Sequence, residues 1–238
     1  TRPGIEGAGA AGGSAAAEAL RLIGDLGTTW GTNSPTVLRA GGLGVRDLRR
    51  TATALDVDQR TAATVIELAY ATGLVADDGE ADPRWAPTPA YDTWSDQPAS
   101  VRWAQVALAW LSSARVAGLV GTRDPKDAVR NALSADLSRP TSIGVRHEVL
   151  ADLARLEAGT APRLDSLLAR LRWRRPRRTG GSHPDFVRWC LAEAELLGVT
   201  GAGALTAAGR LLAARPVERD GPPEPAAAAE LAEAVRAR

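Results

Sequence analysis

Apolar residues recur along this chain mostly at three- and four-residue spacings, so the pattern predicts helices joined by short polar breaks. From Ser14, the stretch SAAAEALRLIGDLG sets Leu20, Leu22, Ile23 and Leu26 on a helix that Ser14 caps and Gly27 stops. Residues 1–13, TRPGIEGAGAAGG, offer nothing large to bury and read as a flexible N-terminal segment. Further on, Val45, Leu48, Thr51, Ala52 and Leu55 keep helical spacing until Asp56-Val57-Asp58 interrupts. Asp58 can cap a second helix that turns Ala62, Val65, Ile66 and Ala69 inward, and Gly73 supplies a left-handed stop. Leu74 and Val75 then open a strand that turns through DDGEADP and returns as Arg84-Trp85-Ala86.

Helix, tight turn, helix and hairpin is the plan of a winged helix-turn-helix. The plan recurs near the other end. Residues 144–157 and 163–173 predict two amphipathic helices, and Pro184 opens a third that runs to Leu197. Gly198-Val199-Thr200 enters a second short hairpin, which Ala204-Leu205-Thr206 leaves. ELAYATGLV and EAELLGVT resemble one another, as do APTPAYDTW and ALTAAGRLL, so the chain reads as an internal duplication. The expected fold class is mainly α with short β-hairpin wings, in tandem winged helix-turn-helix units. The first unit spans 14–98 and the second 144–215, with 99–143 as connecting helix and loop. Within the connector, Trp103, Val106, Ala107 and Trp110 form an apolar stripe expected to pack in the core. Residues 216–238 read as a Pro/Ala/Glu-rich linker and tail ending in a weak helix.

Charge narrows the function. Lys+Arg is 29 against 28 Asp+Glu, a net of +1, so any polyanion site must be a local patch on a near-neutral molecule. The single Cys190 excludes an internal disulfide and a cysteine-built zinc site, and suits a reducing compartment. No apolar run reaches the roughly 18–20 residues of a membrane span. A cytoplasmic protein without a membrane partner is expected, with the nucleoid as a further location. The chain opens on Thr1 and has no Met, which marks it as a segment of a longer polypeptide.

The stretches VLRAGGLGVRDLRR (37–50), APTPAYDTW (86–94), RNALSADLSRP (130–140), RLRWRRPRR (170–178) and EAELLGVTGAGALTAAGRLL (193–212) resemble actinobacterial helicase-associated proteins. In that group this region is described as similar to the N-terminal domain of XPB-type DNA-repair helicases. The resemblance covers roughly residues 14–215 and implies a DNA-associated protein with winged helices, acting in repair or transcription. It does not imply a motor. A P-loop needs GxxxxGK[ST], and Gly118 to Lys126 lacks that ending; no DExH-like acid box is present either.

No cluster of nucleophile, base and acid stands out, so no enzyme, cofactor or metal is expected. His147 is expected to be exposed, His183 to belong to a helix cap, and Cys190 to be a small buried hydrophobe. The candidate chemistry is DNA binding, duplex DNA being favoured. Arg170, Arg172, Arg174, Arg175, Arg177 and Arg178 cluster between two helices of the second unit, where guanidinium groups can grip phosphates. Pro176 cannot continue a helix, so the charges should fan out on a loop. Trp173 can stack on a base, although Leu168 and Leu171 favour packing beneath the loop. In the first unit Gln59, Arg60, Thr61 and Thr64 begin the recognition helix, and Arg46, Arg49 and Arg50 can reach backbone phosphates. Asp58, Glu67, Glu193 and Glu195 on the recognition helices oppose DNA. They support the alternative, a scaffold that docks other domains of its parent chain without binding DNA.

Overall fold

A computed structural model of the chain describes residues 3–174, 183–216, 220–221 and 223–237. Among them are ten α-helices and two antiparallel hairpins. The order is α1 (Gly4–Thr32), α2 (Val45–Ala54), α3 (Gln59–Ala71), β1 (Val75–Asp77), β2 (Trp85–Pro87), α4 (Pro89–Ser95) and α5 (Ala99–Ser112). After two single 3-10 turns come α6 (Thr141–Ala154), α7 (Leu164–Arg174), α8 (His183–Leu196), β3 (Thr200–Gly201), β4 (Ala204–Leu205), α9 (Ala207–Ala213) and α10 (Pro225–Arg236).

The two halves repeat one local device. Gly73 after α3 and Gly198 after α8 both hold positive φ, at 78° and 70°. At each, the following residue closes the helix by donating its amide five residues back, Leu74 to Ala69 and Val199 to Ala194. The hairpin pairs Val75 with Pro87 in one copy and Thr200 with Leu205 in the other. A threonine then starts a seven-residue helix, α4 after Thr88 and α9 after Thr206. Its hydroxyl donates back to the glycine carbonyl, Thr88 to Gly73 at 2.7 Å and Thr206 to Gly198 at 3.1 Å. The x-Thr-x-Ala echo in the sequence is therefore a hydrogen-bonded corner built twice.

Three expectations about the ends and boundaries are corrected. The segment 1–13 is not a flexible lead: α1 starts at Gly4 and is 29 residues long, roughly 43 Å. Its first half lies backbone to backbone on the second hairpin. A Cβ on Gly201 would fall 2.1 Å from the Ala8 carbonyl, and one on Gly12 would fall 2.5 Å from the Thr206 methyl. The small residues that seemed to have nothing to bury are what permits this approach. Its second half carries Leu20, Ile23, Leu26 and Trp30 into the first unit, so α1 ties both copies together. Gly27 is no stop either; it lies within α1 and leaves room for the Tyr91 ring, whose hydroxyl donates to Gly24 at 2.8 Å. The helix expected at the end of 216–238 is present as α10, but it is no part of a linker: it buries Ala228, Leu231 and Ala232 at i, i+3, i+4 spacing against α5. One buried apolar cluster runs from Ala19 to Ala232, through α5 with Trp103, Val106, Ala107 and Trp110 as its stripe predicts.

Candidate nucleic-acid interface

The arginine-rich stretch enters the structure as the end of α7. Leu167 and Leu171 turn inward and fix the helix on α6. Asp152, on α6 and only 2% exposed, then reaches two of the arginines. The Arg170 guanidinium donates to it at 2.7 Å, and Arg174 lies at ion-pair distance, 3.3 Å, from its other oxygen. These two arginines are thus committed in part to an internal acid, yet their side chains remain 31% and 44% exposed. Arg172 faces solvent. Arg175, Arg177 and Arg178, and the fanned loop expected after Pro176, lie outside the described residues.

Trp173 reverses its expectation. It is 88% exposed, whereas Trp30, Trp85, Trp94, Trp103 and Trp110 are buried and Trp189 is half-buried on Gly118. Leu168 and Leu171 share its helix but occupy the inward side, about half a turn around the axis from the indole.

In the first unit the recognition-helix reading is narrowed. Asp58 caps α3, accepting the amides of Arg60 and Thr61 and the Thr61 hydroxyl at 2.9 Å. Those bonds, the Thr61 amide foremost, hold the Asp58 carboxyl below the ordinary aspartate range. Gln59 and Arg60 are exposed and Thr61 is half-exposed. Thr64 is buried, with its hydroxyl donated to the Arg60 carbonyl at 3.0 Å, and cannot meet a base edge. From Ala62 to Leu68 every residue of α3 is buried, because α1, α2 and α5 surround it. Arg46 and Arg49 are exposed on α2, and Arg50 pairs with Asp47 at 2.9 Å.

Of the four acids expected to oppose DNA, Glu67 and Glu193 are internal, Glu195 is half-buried and Asp58 is exposed. Glu67 is 4% exposed; it pairs with Arg115 and accepts the Leu133 amide at 2.6 Å, and Arg115 in turn stacks 4.8 Å from the centre of the Tyr70 ring. Glu193 is buried too, bound by Arg146 at 3.2 Å and by the Trp110 indole N–H at 2.7 Å. Arg146 also donates to the Ser113 and Arg115 carbonyls. Glu195 accepts the Thr200 hydroxyl at 2.6 Å and ties α8 to its hairpin. Sequence reasoning missed Arg115, Arg146 and Asp152. A signal existed for two of them: Asp152 follows Val145 and Val149 on one helical stripe, and Arg146 precedes Leu150 and Leu153 on another.

Between α6 and α7 a groove of about 230 Å³ is lined by His147, Glu148, Asp152, Arg155, Leu171 and Arg174. His147 is half-buried there rather than exposed; loss of water, then the neighbouring Arg146 charge, depress its pKa. Burial pushes the Cys190 thiol well above its usual range, so it is an inert core group. His183 is the first residue of α8 and is buried. Among the described residues no group of His, Cys, Asp and Glu is arranged to hold a metal ion, and no helix is long and apolar enough to cross a membrane. Comparison of the chain with protein-family models, with curated proteins and with solved structures finds no match in any of the three.

Proposed function

We propose that this chain is a non-catalytic DNA-binding module of a larger helicase-associated protein, serving DNA repair or transcription, and that its two repeats are winged helix-turn-helix units. Support for the fold reading is the twice-built order of three helices, glycine stop, hairpin and threonine-started helix. The observation that carries the functional reading is the last turn of α7. There Arg170 and Arg174 share one side and stay partly open to solvent over the enclosed Asp152, and Arg172 is exposed on another side of the same turn. A guanidinium can engage Asp152 on one side and a phosphate on the other, because its five N–H donors form a fork. The removal of Glu67 and Glu193 to the interior takes away the main charge objection to such a contact.

Contact is therefore assigned to the α7 end with support from Arg46 and Arg49. Anisotropy titrations on labelled DNA over a range of salt test it. If about four arginines neutralise phosphates, the slope of log affinity against log salt is about −3 to −4 on duplex and about −3 on a single strand. Replacing Arg174, Arg175, Arg177 and Arg178 by Ala, with Arg170 kept so that Asp152 stays paired, should flatten that slope. Equal slopes for the two proteins would remove the reading. No binding at micromolar protein would favour the docking scaffold instead.

A further inference from the structure

We infer that Trp173 is a stacking platform for an unpaired base, so that the DNA gripped at the end of α7 is single-stranded. This rests on the DNA-binding reading above and adds the form of the strand.

The elements that would read a duplex groove are not free to do so. α3 is enclosed from Ala62 to Leu68, leaving only its first turn outside. On α8 the outward positions are Asp185, Arg188 and Ala192, and the two charged ones neutralise each other at 2.7 Å. The loop of the first hairpin carries Asp77, Asp78, Glu80 and Asp82, the wrong sign for a phosphate. The second hairpin has Thr200, Gly201, Ala204 and Leu205 buried, with Gly201 against the backbone of α1.

Among the described residues of α7, an exposed indole is left outside with an arginine on either side of it in the chain. Trp173 follows Arg172 and precedes Arg174, and Ala169 and Ser166, on the same side of α7 one and two turns back, are too small to shield the ring. The lone acid on α7, Asp165, is at the far end of the helix from Trp173. Every base has a π-face, so stacking on Trp tolerates any sequence. In a duplex those faces are covered by neighbouring base pairs, whereas a single strand leaves them open while its phosphates pass the flanking arginines. An exposed ring beside cations fits that ligand in both shape and charge.

The test uses the whole chain and three 15-residue probes: single-stranded oligo-dT, a duplex of the same length, and an abasic strand that keeps the phosphates and lacks bases. Wild type should prefer oligo-dT to both the duplex and the abasic strand, and equal or tighter binding of the duplex would overturn the single-strand assignment. Trp173→Ala should lower oligo-dT affinity by about 5- to 150-fold and leave the abasic strand unchanged, and Trp173→Phe should recover part of the loss. Since Trp173 is exposed, both variants should keep the wild-type circular dichroism spectrum. The inference is overturned if Trp173→Ala binds oligo-dT as tightly as wild type, or if wild type binds the abasic strand equally well. Salt-steep binding to every probe with no effect of Trp173 would sink stacking and leave DNA binding standing. Absence of binding to all three would remove both.

Discussion

Buried charge decides which side chains of this protein are available for chemistry. Glu67 sits where a helical wheel gives no warning and Glu193 on the stripe of Cys190 and Leu197, and each is held by a guanidinium plus a second donor, as an ion removed from water requires. The same rule explains why Arg170 and Arg174 cannot be wholly given to a ligand: Asp152 would be left bare in the interior. His147 shows the opposite case, a base kept from charging. Its folded pKa is lowered, so between that value and the ordinary 6.5 the unfolded chain binds the proton that the native protein refuses. Stability should therefore fall as pH drops from about 7 through that window, and His147→Gln should flatten the decline. Urea midpoints of both proteins from pH 7.5 to 5.5 measure this; parallel curves would show that another group carries the dependence.

Helix α1 is the element in which adjacent residues have opposite jobs. Gly12 and Gly13 are neighbours, yet a Cβ on Gly12 would meet the Thr206 methyl at 2.5 Å and the Gly198 carbonyl at 3.0 Å, while one on Gly13 meets nothing within 4 Å. Thr206 cannot swing aside, since its hydroxyl donates to Gly198 and Val199 and accepts the Gly209 amide. Gly13→Ala should stabilise by about 0.5–1 kcal/mol, the ordinary gain for Ala over Gly in a helix. Gly12→Ala should destabilise by about 1–3 kcal/mol, because overpacking exceeds that gain. Thermal unfolding of the two single variants gives the signs; two stabilised proteins would mean that α1 does not sit on the second hairpin.

At the scale of the molecule, α1 and α10 bind the repeats into one core. The first half of α1 covers β3, and α10 covers α5. Removal of residues 1–13 should expose the face of the second hairpin that Ala8 and Gly12 cover. For a chain of this size each kcal/mol lost lowers the melting midpoint by about 2–4 °C, so a drop of several degrees is expected. An unchanged midpoint, followed by calorimetry, would restore 1–13 to the status of a lead segment.

Helix positions, the two glycine stops, the hairpins and the repeat were legible along the sequence, because spacing, capping and turn chemistry act within a few residues. Asp58, Gly73 and Gly198 each do locally what their residue type predicts. The helix from Ser14 and the helix ending the tail were legible, but the extension of α1 back to Gly4 and the packing of α10 in the core were not. Gly and Ala carry little apolar signal alone, and their value lies in letting a distant backbone approach. Nor could spacing show that α3 is walled in, that Asp152 holds two arginines, or that Trp173 is outside. Burial is a property of what lies opposite, and only the tertiary structure brings residues some 20 to 190 positions apart into contact.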